Sequence, residues 1–151
     1  MSQSVPAYDP IAAGRQELAD IIQRHCQGEG VFETAIDSLL VGRSDCPHEG
    51  RMPTLYRPAL CVIAQGCKEV RLGSEVYRYD ELNLLVVSVT LPVSGQVIEA
   101  SPEKPYLSIR LDIDPGELTR LIAEAGLAGS APRPASRGCK EVRLGSEVYR
   151  Y

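Results

Sequence analysis

The most regular alternation of apolar and polar residues in the chain lies between Tyr106 and Ile113. Leu107, Ile109, Leu111 and Ile113 would share one face of an extended segment, because successive side chains of a strand point to opposite sides. The segment 106–113 is therefore predicted to be a β-strand.

Shorter apolar runs, separated by glycine, proline and polar residues, predict further strands upstream. They cover residues 38–42, 59–65, 82–89 and 93–100, with a loop at 44–53 and a turn at Pro92.

A hairpin is predicted where residues 67–72 and 75–79 flank Gly73 and Ser74. Glycine supplies the positive φ that a two-residue hairpin turn requires. Pairing outward from the turn sets Val70 opposite Tyr77, Lys68 opposite Tyr79, Glu69 opposite Arg78 and Arg71 opposite Val76, with Val70, Leu72 and Tyr77 facing inward. Glu69 and Arg78 are expected to make a solvated cross-strand contact.

Helices are predicted at the two ends of this strand-rich region. Asp9 and Pro10 open the first helix, which ends before Gly28. Asp114, Pro115 and Glu117 open the second as N-cap, first-turn proline and third-position acid, and Gly126 ends it. The second helix carries an apolar face made of Leu118, Leu121, Ile122 and Ala125.

Closely spaced strands between two helices indicate a mostly β fold: an antiparallel β-barrel or jelly roll with flanking N-terminal and C-terminal α-helices. The 151 residues suit one domain. A barrel of about eight strands can enclose one small ligand.

Composition argues against several functions. The net charge of −4 provides no basic surface for nucleic acid. The only histidines, His25 and His48, precede the main strand region, and the five cysteines form no C-x-x-C pair. We therefore expect no metal, no cofactor and no catalytic residues, and we expect a cytoplasmic protein without a membrane segment.

One segment occurs twice. Residues 66–79, GCKEVRLGSEVYRY, recur without a change as residues 138–151. Evolved repeats drift at their solvent-facing positions, so we interpret the second copy as an assembly scar, that is, a duplication introduced when the sequence was put together. The alternative interpretation is an extra hairpin that pairs with the edge of a sheet.

The segments PALCVIAQG, LGSEVYRYD, VVSVTLPVSGQVIEASPE and YLSIRLDIDP resemble the N-terminal regulatory domain of AraC-type transcriptional regulators, which is a cupin-like barrel. The resemblance assigns residues 9–126 to this domain and 127–137 to a linker. It implies a module that binds a small-molecule effector or forms a homodimer, and it implies DNA contact only through a separate C-terminal helix-turn-helix half.

Candidate residues follow from these expectations. The candidates for binding an effector through hydrogen bonds are Tyr77, Tyr79 and Gln96. The alternative is that the two tyrosines belong to the core, with their hydroxyls in contact with water, and that Gln96 is a loop or rim amide. The apolar face of the second helix could pack against the same face of a second copy of the chain in a homodimer. The alternative functions are a purely structural oligomerisation domain and a metal-independent cupin enzyme.

Overall fold

The computed structural model describes residues 9–126 and the backbone of residues 139–143. Helix α1 (Pro10–His25) begins as predicted, because the Asp9 carboxylate accepts a hydrogen bond of 3.0 Å from the Ile11 N–H. Ala19 and Ile22 are its buried residues. They form a small core with Val41 and Leu107, which places α1 against one sheet.

The strands form two antiparallel sheets. The order in the six-stranded sheet is β1 (Gly30–Glu33), β2 (Leu39–Ser44), β9 (Tyr106–Asp112), β4 (Ala59–Gln65), β7 (Asn83–Val87) and β10 (Cys139–Arg143). The order in the four-stranded sheet is β3 (Met52–Tyr56), β8 (Leu91–Glu99), β5 (Cys67–Leu72) and β6 (Glu75–Asp80). The mostly β, jelly-roll-like class with flanking helices is confirmed, although the two sheets do not join into a closed barrel.

Strand β9 separates the two cores of the molecule. Tyr106 belongs to the main core, together with Ile63, Val70 and Leu85, whereas Leu107 packs on the α1 side. The predicted alternation of this strand is therefore confirmed at its first two residues, and each face of the six-stranded sheet covers a different core.

The predicted hairpin is confirmed residue by residue. Strands β5 and β6 pair with Val70 opposite Tyr77 and Lys68 opposite Tyr79, and Gly73 has a φ of 59° in the turn. Glu69 and Arg78 lie opposite each other as expected and interact electrostatically, but each has a closer ion-pair partner elsewhere. The structure pairs Arg51 with Glu69 at 3.1 Å and Arg78 with Glu99 at 2.6 Å.

Three strand predictions need correction. Strand β1 was not predicted, and β3 begins inside the predicted loop at 44–53. Pro92 lies within β8, opposite Leu55, rather than in a turn. A proline is tolerated there because the pairing of β8 with β5 reaches only as far as Ser94.

The second copy of the hairpin segment contributes β10. Its backbone pairs antiparallel with β7, with Cys139 opposite Val87 and Arg143 opposite Asn83. The identical residues of the first copy, in β5, pair with β6 and β8 instead. The predicted linker at 127–137 and the rest of the second copy lie outside the described residues.

Helix α2 (Pro115–Glu124) follows β9 directly. As predicted, the Asp114 carboxylate caps it by accepting a hydrogen bond of 2.9 Å from the Glu117 N–H. None of the residues of α2 is buried.

Candidate functional site

A group of polar side chains lies inside the main core, between the two sheets. Tyr56, Tyr79 and Tyr106 are 9%, 2% and 5% exposed and come from β3, β6 and β9. The ammonium nitrogen of Lys68, on β5, lies 5.8 Å from the centre of the Tyr56 ring, which is within the range of a cation–π interaction. We call Tyr56, Lys68, Tyr79 and Tyr106 the interior polar cluster.

Local sequence explains how a lysine reaches this position. Lys68 and the fully buried Val70 are two residues apart on β5 and share a face of the strand. A side chain on Gly95, in the adjoining β8, would place its Cβ 3.2 Å from Lys68 Cε. Glycine at position 95 therefore leaves space for the lysine stem.

The environment favours neutral tyrosines and a charged lysine. Burial raises the pKa of Tyr79 well above its ordinary value of 10, and burial also raises the pKa of Tyr106. Burial acts to lower the pKa of Lys68, but the neighbouring Tyr106 and Tyr56 outweigh it, so that the pKa of Lys68 is raised. At neutral pH the cluster thus offers the Lys68 ammonium group and the protonated hydroxyls of Tyr79 and Tyr106.

A cleft of about 160 Å³ opens at one end of the space between the sheets. Its lining includes the buried residues Tyr56, Ala59 and Cys61 and the charged residues Arg57, Arg110 and Asp112. Arg110 is paired with Asp112 at 2.9 Å. Because Tyr56 belongs to both the cleft and the interior polar cluster, the two are adjacent.

The predicted effector residues are not brought together. Tyr79 belongs to the interior polar cluster. The Tyr77 hydroxyl instead donates to the Glu75 carboxylate at 2.6 Å at the margin of the core. Gln96 lies on the opposite face of β8 from the buried Gly95 and Val97, and its amide donates to the His48 carbonyl at 2.9 Å, which tethers the preceding loop.

Sequence reasoning did not select Lys68, Tyr56 or Tyr106. A usable signal was present for Lys68, because the predicted hairpin register already set it opposite Tyr79 on the inward face. The other two tyrosines come from strands distant in sequence, and only the sheet arrangement shows that they meet.

The predicted dimer residues share an exposed apolar face on α2. Leu118, Leu121 and Ile122 are 45%, 50% and 39% exposed, and Ala125, the C-cap residue, is also exposed. Arg120 forms ion pairs with Glu117 and Glu124 at 3.3 and 2.9 Å. The helix is therefore amphipathic, and within the described residues its apolar face is left open to solvent.

Two further features bear on function. In the part of the chain that the structure describes, no three histidine, cysteine, aspartate or glutamate side chains are grouped so that they could hold a metal ion. No helix among the described residues is long and apolar enough to span a membrane.

Comparison with known families gives one match. The family model of the AraC-type transcriptional regulator N-terminus matches residues 35–150, which is more than half of the chain. The chain therefore belongs to this family of regulatory domains. No curated protein matches it.

Proposed function

We propose that this regulatory domain binds a small-molecule effector in the space between its two sheets. The observation that carries the proposal is the interior polar cluster. Buried positions are normally taken by apolar side chains, so four hydrogen-bonding side chains that converge between the sheets are an unusual feature of this core. Ligand pockets, in contrast, combine apolar walls with a few convergent polar groups.

The adjoining cleft supplies space for such a ligand. Its volume of about 160 Å³ is similar to that of an engineered cavity of about 150 Å³ that binds benzene. The ligand would therefore be no larger than a single ring with short substituents, unless the sheets separate further.

The position of the site suggests how binding could be transmitted. Tyr56, Lys68 and Tyr79 lie on the four-stranded sheet, whereas Cys61 and Tyr106 lie on the six-stranded sheet. A ligand that contacts both groups would fix the distance between the sheets. Asp112, which lines the cleft, is the last residue of β9, and α2 begins at Pro115.

A thermal-shift screen tests this proposal. A ligand that binds only the folded state at about 100 times its Kd stabilises the protein by about 2.7 kcal/mol. We expect at least one small ring compound to stabilise the wild type and to do so less in Y79F than in Y77F, the matched control outside the cluster. A ligand that stabilises Y79F and Y77F equally, or a screen that finds no stabilising compound, would contradict effector binding between the sheets.

A second candidate function is dimerisation through α2, and the exposed apolar face of that helix favours it. We propose that two copies pack Leu118, Leu121 and Ile122 together, as isologous interfaces do. Light scattering should then give a dimer for the wild type and a monomer for L121E, whereas R120E, on the charged face, should leave the dimer intact. A wild-type monomer at high concentration would contradict this function.

The wider roles are part of the same proposal. The module would act in the cytoplasm as a sensor without catalytic activity, and the regulator would contact DNA through a separate helix-turn-helix half. The negative net charge of −4 is consistent with a domain that does not itself bind DNA.

A further inference from the structure

We propose that Lys68 is the anchor for a carboxylate group, and that the effector is a small monoanion with an apolar ring or chain. This inference rests on the proposed effector-binding function and specifies its ligand class. Lys68 is a partly buried cation, and no carboxylate of the described residues lies within 4.0 Å of its Nζ.

The other cations of the described region lie in different surroundings. Several are paired with an acidic side chain, such as Arg15 with Glu81 and Arg43 with Asp45. Arg24, Arg57 and Arg71 have no such partner but are exposed to water. Lys68 has neither an acidic partner nor full hydration, and it is directed toward the core rather than the surface.

A charge in this position requires compensation, because transfer of an ion out of water is costly unless it is paired. The Tyr56 side chain provides part of it, through the cation–π interaction and through a hydrogen bond with the Lys68 ammonium group, but Tyr56 carries no acidic charge. Loss of the proton does not provide the rest, since the pKa of Lys68 is raised rather than lowered. A bound anion would complete the pairing.

The neighbouring hydroxyls suit the same anion. A neutral phenol donates one O–H, and a carboxylate accepts several hydrogen bonds through its two oxygens. Burial raises the pKa of Tyr79 and Tyr106 further above neutrality, so neither phenol repels a negative ligand, and each could exchange its present hydrogen bond, with Tyr56 and Ser108 respectively, for one to the anion.

The surroundings favour a monoanion with an apolar body. The interior polar cluster contains one cation, so a doubly charged phosphate would be left with uncompensated charge. Val70, Val93 and Val97 belong to the same core as the tyrosines and present apolar walls. A carboxylate attached to a ring or short chain matches this site, because its charge would pair with the Lys68 ammonium group, its oxygens would accept hydrogen bonds from the phenols, and its apolar part would pack against the valine side chains.

Benzoate and benzamide, which have nearly the same shape, test this inference on the full chain by thermal shift and calorimetry. We expect benzoate to bind more tightly than benzamide, because hydrogen bonds to charged groups contribute about 1.5–3 kcal/mol, or about 10- to 150-fold in Kd. K68M should remove the preference for benzoate, whereas K104M, at an exposed lysine paired with Glu81, should retain it.

G95A provides a test that leaves the charge in place. The added Cβ would lie 3.2 Å from Lys68 Cε, so the lysine must shift by a few tenths of an ångström, and we expect the Kd of benzoate to rise while that of benzamide changes less. This variant and K68R keep the inference testable if K68M does not fold, which circular dichroism would reveal.

The possible results separate the two proposals. Equal stabilisation by benzoate and benzamide, lost in Y79F, would overturn the carboxylate anchor and leave effector binding supported. The anchor is also wrong if benzoate binds K68M and the wild type equally. If benzoate does not bind the wild type, the anchor is overturned whatever neutral compounds do.

Discussion

Replacement of Gly66 by alanine should destabilise the fold far more than replacement of Gly73. Gly66 connects β4 of one sheet to β5 of the other and has a φ of 92°. A Cβ at this position would lie 2.6 Å from the Glu99 carbonyl oxygen and 3.1 Å from Tyr106 Cα, both of which are backbone atoms. A side chain here is therefore opposed both by local conformation and by close packing.

The two contributions can be estimated separately. A non-glycine residue in the left-handed region costs about 1–2 kcal/mol. Overpacking against atoms that cannot rotate away adds about 1–3 kcal/mol. G66A should thus lower the free energy of unfolding by about 2–5 kcal/mol, a large part of the total of about 5–15 kcal/mol for a domain. Gly73 has a φ of 59°, and a Cβ added there would meet no atom within 4 Å, so G73A carries only the first cost.

Urea denaturation of the wild type, G66A and G73A provides the comparison. We expect parallel transitions with equal m-values, and a midpoint for G66A clearly below that of G73A. If the two variants lose the same free energy within about 0.5 kcal/mol, the close approach of the sheets at Gly66 is not as described.

Two further predictions concern pH and chain length. Tyr79 and Tyr106 have pKa values raised above 10, so the folded state retains their protons longer than the unfolded state. The stability that these two phenols contribute is complete below pH 10 and should be lost as the pH rises above it. Alkaline melts should show this loss, with a smaller slope in Y79F, and equal slopes in the two proteins would contradict it. A chain ending at Gly126 should keep cooperative melting, because residues 9–126 already supply the buried residues of both cores that the structure describes. Loss of cooperative unfolding would show that residues 127–151 belong to the domain.

The sequence identified the elements that are determined locally. The hairpin register follows from Gly73 and Ser74, and both helix starts follow from an aspartate cap before a proline. Strands β1 and β3 were missed because they are short edge strands with mostly exposed residues, and a proline occupies the second position of β3.

The site was less accessible to sequence reasoning. Tyr79 was selected for its hydroxyl, but Tyr56 and Tyr106 meet it only because strands from two sheets face each other. Gln96 alternates with Gly95 and Val97, so the sequence pattern already placed it on the other face of β8 from the interior polar cluster. The inward lysine was visible in the register and was overlooked because lysine is rarely buried.

The most direct measurement is a crystal structure of the full chain grown with a small ring carboxylate such as benzoate. We predict a carboxylate oxygen about 2.7–2.9 Å from Lys68 Nζ, as in charge-assisted hydrogen bonds, with the ring between the two sheets. A carboxylate held in the cleft by Arg57 and Arg110 without contact to Lys68, or a Lys68 side chain paired with an acidic residue of the protein, would contradict Lys68 as the anchor.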